Sequence, residues 1–320
     1  MVREPASHSV SGAIDGLDAV EAVEVADPLV PVVAGVDVCG TKVRAALREP
    51  GGRIVAESTV PSAPLRSDPA TGIGDLVRGL VSRATVLTAV GVGLPGVVDQ
   101  RRGTVSRCPA FPGLAGVDIR SRLAEEVGVP TAVDNDANAA AWGEFRLGGH
   151  GSDNLALLAL GTGIGLGAVV DGRLLRGAHG AAGEVAEVPL RVDGKRQPTE
   201  SVASVAGLLQ ARAWRDTARV RELIADAERG DPPAVRAVEV YADAVADALL
   251  AISGLIDPGV IVFTGGLGVR GVVVRNIVRS LPANIAASIT VSSLGERAPL
   301  LGALELATDL LPPAVEALSG

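Results

Sequence analysis

The sequence predicts an α/β protein of two similar lobes that face one another across a cleft. Three observations carry that expectation: an almost wholly aliphatic core, strands alternating with helices, and an internal echo. Of 320 residues, 48% are hydrophobic but only 2% aromatic, so the interior must be built from Val, Leu, Ala and Ile. That composition suits parallel strands covered by helices on both faces. Forty glycines spread through such segments signal tight turns and close backbone approaches rather than a linker.

Residues 1–31 read as a flexible acidic tail, with Asp15, Asp18, Glu21, Glu24 and Asp27 and no base after Arg3. Order is expected from Val32. Strands are predicted at 32–37, 43–47 and 53–57, the last pair joined by Pro50-Gly51-Gly52. A helix over 71–84, a buried strand over 86–93, a helix near 118–127, a strand over 130–134 and a helix over 135–146 follow. A second series has strands near 155–160, 165–170 and 173–175. A charged amphipathic helix follows at about 217–229. Asp231 with Pro232 and Pro233 opens a long helix whose apolar stripe includes Val238, Tyr241, Val245, Leu249 and Ile252, ending at Asp257-Pro258-Gly259. A strand over 260–264 and helices near 270–281 and 299–311 close the chain.

Within this alternation, strand, Gly40-Thr41, strand, Gly52-Arg53, strand matches strand, Gly161-Thr162, strand, Gly172-Arg173, strand. The offsets are 121 and 120 residues. Two such lobes would each present a Gly-Thr turn to the cleft between them.

Charge and cysteine usage narrow the function classes. A net charge of −8, with Lys42 and Lys195 the only lysines, argues against a nucleic-acid surface. Cys39 and Cys108 cannot make a disulfide framework or a zinc cluster. The most apolar stretch, 155–170, is too short and too rich in glycine to span a membrane, and the N-terminus lacks the apolar run of a secretory signal. A soluble cytoplasmic protein is expected.

Four segments bear on chemistry. Asp37-Val38-Cys39-Gly40-Thr41-Lys42 has the wrong order for a P-loop and no following helix. As a hairpin, it would bring backbone N–H groups and the Thr41 hydroxyl to phosphate, with Asp37 placed to hold magnesium through water. Read alone, it is an ordinary turn. Leu160-Gly161-Thr162-Gly163-Ile164-Gly165-Leu166-Gly167 supplies the second turn. Its alternating glycines leave one face bare, which would suit a nucleotide lying against backbone.

Gly91-Val92-Gly93-Leu94-Pro95-Gly96 matches the dinucleotide fingerprint in letters, but a turn and a strand follow where that motif needs a helix. Asp134-Asn135-Asp136, between a strand and an Ala-rich helix, is costly to bury unless the polar groups meet water or ligand. Asn135 or Asp136 would cap the helix, and a carboxylate at a cleft mouth can accept a proton from a substrate hydroxyl. His150 and His179 show no acid partner in the sequence.

Together these residues resemble the ROK family (repressors, open reading frames and kinases), over about residues 33–305. The match runs through Asp37-x-x-Gly40-Thr41-Lys42, Gly91-x-Gly93-x-Pro95-Gly96, Asn135-Asp136-Ala137-Asn138 and Leu160-Gly161-Thr162-Gly163-Ile164-Gly165. It continues in Gly177-Ala178-His179-Gly180-Ala181-Ala182-Gly183-Glu184, Leu255-Ile256-Asp257-Pro258 and Gly265-Gly266. The resemblance implies a two-lobed actin-like ATPase (ribonuclease H-like) α/β fold with duplicated sheets. The N-terminal lobe would span 32–136 and the C-terminal lobe 137–320, with the last helix packing back on the first lobe.

It also implies a glucokinase-like activity, ATP-dependent phosphorylation of a hexose hydroxyl. Asp136 would be the general base, and Asn135, Glu184 and Glu200 would bind sugar hydroxyls. Asp37, Gly40, Thr41, Lys42, Gly161, Thr162 and Gly163 would serve magnesium and phosphates, and Gly265 and Gly266 would lie near the adenosine. Partners would be a small-molecule sugar and a second copy of the chain, with no nucleic acid and no membrane.

Two departures stand out. Cys39 replaces a usual glycine. Where relatives carry Gly-Glu-x-Gly-His and a following cysteine cluster, this chain has Gly183-Glu184-Val185-Ala186-Glu187 and no cysteine, so zinc is not expected. Glu187 either accepts a sugar hydroxyl or stands idle in solvent. Besides a kinase, the sequence admits a non-catalytic sugar sensor and, least well, a dinucleotide-dependent dehydrogenase.

Overall fold

A computed structural model describes residues 29–312 except Pro109, Asp193, 211–215 and Asn284; the proposed acidic tail, residues 1–28 of it, lies outside the described residues. The first sheet opens with the antiparallel strands β1 (Val30–Val38), β2 (Lys42–Arg48) and β3 (Ile54–Pro61). Strand β1 thus starts two residues before Val32. Helix α1 (Pro69–Leu80), capped by Asp68, leads to β4 (Thr85–Leu94), which lies parallel to β1. A small hairpin of β5 (Val97–Asp99) and β6 (Thr104–Ser106) and helix α2 (Ile119–Val127) precede β7 (Thr131–Asn135). The resulting order is β3-β2-β1-β4-β7.

Helix α3 (Asp136–Leu147) then crosses to a second sheet of the same design. Strands β8 (Leu155–Leu160), β9 (Ile164–Val170) and β10 (Arg173–Leu174) form its meander. A polar hairpin of β11 (Pro189–Val192) and β12 (Lys195–Pro198) and helices α4 (Val205–Gln210), α5 (Val220–Glu228) and α6 (Pro232–Ile256) follow. Strand β13 (Val260–Thr264) lies parallel to β8, and the short α7 (Gly265–Gly268) and α8 (Gly271–Ser280) lead to β14 (Ser288–Val291) and α9 (Ala298–Thr308). The order β10-β9-β8-β13-β14 repeats that of the first sheet strand for strand. The echo in the sequence is therefore a duplicated sheet.

Two helices fill the space between the sheets. Helix α9 packs on β1 and β4, α3 packs on β8 and β9, and the two helices pack on each other. The layers close because the contacts use residues with little or no side chain. A Cβ on Gly91 would fall inside the carbonyl oxygen of Ala303, and one on Gly302 inside that of Ala139. Interiors packed to crystal density cannot absorb such an atom. Gly91 and Gly93 thus lie against α9 and α3, which removes the dinucleotide reading of that motif. Among the described residues no helix is long and apolar enough to cross a membrane.

A cavity of about 440 Å³ lies away from the two Gly-Thr turns, beside the start of β1 and the C-terminal ends of α3 and α9. Its wall carries the ion pairs of Glu305 with Arg48 and Arg146.

Candidate active site

The turn from β7 into α3 sorts three adjacent polar residues into three tasks. Asn135, still extended, caps α3: its Oδ1 accepts from the N–H groups of Ala137 at 2.8 Å and Asn138 at 3.3 Å. Its Nδ2 donates to the Gly96 carbonyl at 3.0 Å, which leaves one amide hydrogen of the side chain for a ligand. Asp134 is buried and satisfied by protein, accepting from Asn135 N, Asn138 Nδ2 and, at 2.6 Å, Arg176 Nε.

Of the three, only Asp136 has a carboxylate oxygen with no side-chain donor among the described residues; Oδ1 accepts from Ala137 N at 2.9 Å. Burial, then the Asp37 carboxylate and more weakly Glu184, push its carboxyl up to about 6, against the pull of the helix-end N–H groups. A half-buried acid held near neutrality at a helix N-terminus can take up a proton without first being stripped of strong partners.

The first Gly-Thr turn differs from expectation at Asp37. Its side chain is fully buried, and Arg44, directly opposite on β2, grips Oδ2 with Nε at 3.1 Å and Nη2 at 3.0 Å. The Cys39 thiol lies over the other oxygen at 3.5 Å. Magnesium held by Asp37 through water does not fit this arrangement, because a guanidinium already neutralises the carboxylate and no oxygen of it reaches solvent. Burial is also the largest influence on Asp37 and raises its carboxyl, while Arg44 pulls it down. Cys39, desolvated and beside Asp37 and Asp136, is pushed up to about 12 and stays a thiol.

Arg44→Met should strand the buried Asp37 charge and cost about 3–5 kcal/mol of stability, read as a lower urea midpoint; an unchanged midpoint would show the pair to be dispensable. Thr41 is exposed, and the space beside Gly40 is open. Lys42 makes a loose pair with Glu296 at 3.9 Å, so its charge remains largely available.

The second turn closes through Gly161 N donating to Gly163 O, with Thr162 exposed at its tip. It stands beside the β13–α7 junction: a Cβ on Gly161 would lie 3.9 Å from Gly266 N. Gly265 has φ +84, and a Cβ there would approach Leu160 O to 2.5 Å, so only glycine brings these two backbones together. With Gly40 and Gly266 open and two threonine hydroxyls exposed, the bare backbone suits a polyphosphate and its nucleoside. The alternating glycines after Thr162 do other work. Gly165 and Gly167 face Ala137 on α3, so the bare face of β9 seats a helix and not a nucleotide.

The third wall is the loop after β10. Glu184 is half-buried, and burial raises its carboxyl; Glu187 and Glu200 add to the rise, while Arg107 opposes it. Glu187 is exposed and pairs with Arg107 at 2.8 Å, with Glu184 at 3.9 Å from the same guanidinium. Arg107 itself has φ 54, a conformation unusual outside glycine. Glu200 lies against Gly163, where a Cβ would meet its carboxylate. Glu184 and Glu187 thus share the loop, and Glu200 approaches them from the turn after β12. Of the histidines, His150 does have an acid partner, Glu144, at 2.6 Å, but in a buried network with Ser293 and Leu294 far along α3 from Asp136.

Arg44, Arg107 and Arg176 were not singled out in the sequence. Arg44 was legible in principle, since pairing the strands about the Gly40-Thr41 turn sets it opposite Asp37. The other two partner residues 80 and 42 positions away, and local spacing carries no trace of them.

Known proteins resemble this chain in sequence and in fold. The sequence profile of the ROK family matches residues 33–310. A glucokinase of Streptomyces coelicolor is 30% identical over 86% of this chain and 97% of its own length. A ROK family glucokinase from Streptomyces griseus, solved with glucose and AMPPNP, is 30% identical with a TM-score of 0.71, covering 87% of this chain and 99% of that one. A ROK hexokinase from Thermus thermophilus is 31% identical with a TM-score of 0.74, covering 90% and 100%.

Proposed function

The chain belongs to the ROK family, and from that premise we propose that it is an ATP-dependent sugar kinase in which Asp136 draws the proton from a hexose hydroxyl. The observation that carries the assignment is the sorting at the β7–α3 turn. Asp134 and Asn135 are tied up by protein, and Asp136 is left with a carboxylate poised near neutral pH.

In this reading Glu184, Glu187, Glu200 and the remaining Asn135 amide hydrogen bind the other sugar hydroxyls. As the acceptor oxygen attacks the terminal phosphorus, its proton passes to Asp136, the bond to the bridging oxygen breaks, and ADP leaves. Gly40, Thr41 and Lys42 from one turn and Gly161, Thr162 and Gly163 from the other bind the phosphates, and Gly265 and Gly266 border the adenosine. Phosphoryl transfer needs positioning and charge stabilisation more than covalent work by the protein, which such backbone turns supply. A divalent ion would reach this site with the nucleotide's own phosphates, since Asp37 is closed to it.

A coupled assay of ADP release over a panel of hexoses tests the proposal; no release with any of them would end it. The closed Asp37–Arg44 pair with Cys39 over it favours one other reading, a sugar-binding regulator without turnover. Calorimetry separates the two, since that reading requires sugar binding with no ADP produced.

The base must be ionised to act, so the limb of the pH profile is fixed by the Asp136 carboxyl. Below about 6 the group is increasingly protonated and kcat/KM should fall about tenfold per pH unit; above about 7 it should level off. A profile flat down to pH 5 would remove Asp136 from the role.

A further inference from the structure

We propose that the ion pair between Arg176 and Asp134 is the joint that sets the loop of residues 177–188 against the turn carrying Asp136, which makes Arg176 a positioning residue. Its consequence for sugar binding rests on the kinase reading; the joint itself does not.

The first half of the loop has little of its own to hold it. Residues 177–183 are three glycines, three alanines and His179. Gly180 and Gly183, both with positive φ, press directly on the backbone of Val98 on β5 and Leu166 on β9, contacts that leave no room for a side chain and supply no polar tie. The far end is anchored by Val185, buried in the core, and by the Val188 carbonyl, which accepts from Thr199 N at 2.9 Å and Oγ1 at 2.7 Å; the Arg107–Glu187 pair there has both partners about half exposed, at 49% and 59%, so water and salt weaken it.

At the near end the situation is reversed. Arg176 follows β10, the edge strand of the second sheet, and its Nε donates to an Asp134 carboxylate that is 2% exposed, at the end of the first sheet. Asp134 also accepts from Asn135 N and from Asn138 Nδ2, the residues on either side of Asp136 and its neighbour in α3. The Arg176 carbonyl in turn accepts from Ala182 N and closes the loop on itself. One side chain thus links the fold of the loop to the placement of the proposed base, across the two sheets.

The test compares the unliganded full chain with Arg176→Met, Asp134→Asn and the double variant, by thermal melting and amide hydrogen exchange. Arg176→Met should melt well below wild type, because it leaves a buried charge without a counter-charge. The double variant has no charge to strand and should recover most of that loss. Even so, the amides of 177–185 should exchange at least tenfold faster in both, with β4 and β8 unchanged. Loop exchange at the wild-type rate in the recovered double variant would overturn the joint. Calorimetry with glucose adds the functional arm: affinity should fall at least tenfold in the double variant while ADP affinity holds. Undiminished glucose affinity would overturn the positioning role, whereas a wild type that binds no hexose would fail the kinase reading and leave the exchange result to decide the joint.

Discussion

Asp136→Asn should lower sugar-dependent ADP release by roughly 10²- to 10⁴-fold, the range a positioned general base contributes, while glucose and ADP still bind. The substitution keeps the shape of the side chain and its bond from Ala137 N, so what is lost is the ability to take a proton. Turnover within a few-fold of wild type would rule the base assignment out.

The same change carries a stability signature with a definite sign. The Asp136 carboxyl is raised from 3.8 to about 6, so its contribution to stability is full below the unfolded value and is lost as pH rises through about 6. At pH 7.5 the wild type bears that loss and the asparagine does not. Asp136→Asn should therefore melt at or above the wild-type temperature at pH 7.5, and the difference should narrow as pH falls toward 4. A variant both inactive and less stable at pH 7.5 would point to a structural role instead.

Gly302→Ala should cost about 3 kcal/mol or more, at the upper end of overpacking. The added methyl would intrude on the Ala139 carbonyl, and neither atom belongs to a side chain that can rotate away. Helix α9 cannot retreat either: on its other side Gly91 lies under Ala303, and a Cβ on Gly35 would stand 2.8 Å from Leu304 N. The crossing of α3 and α9 is thus closed from both faces. Gly254→Ala in α6 is the matched control, exposed with nothing within 4 Å, and should stabilise by about 0.5–1 kcal/mol from helix propensity alone. Urea unfolding of both variants checks the pair of signs; a Gly302→Ala protein as stable as wild type would show that the helices are not locked.

Strand-turn-strand units around Gly40-Thr41 and Gly161-Thr162 were legible because hairpin chemistry and aliphatic runs are local signals. The long helix from Pro232 was legible from its cap and stripe. Strand β14 was not, being only four residues long and half-exposed, and neither was the β11–β12 hairpin, whose Lys195-Arg196-Gln197 run has no apolar alternation. Gly165 and Gly167 were read toward a ligand because a bare strand face has the same pattern whether a nucleotide or a helix lies on it.

By itself the amino-acid sequence determined the duplicated α/β framework and the polar turn at 134–136, since periodicity, caps and tight turns depend on neighbours a few residues apart. Only the tertiary structure decided which carboxylates remain available there. Burial and counter-charge set that, and the counter-charges arrive from other strands: Arg44 closes Asp37, Arg176 takes Asp134, and among the described residues no arginine pairs with Asp136.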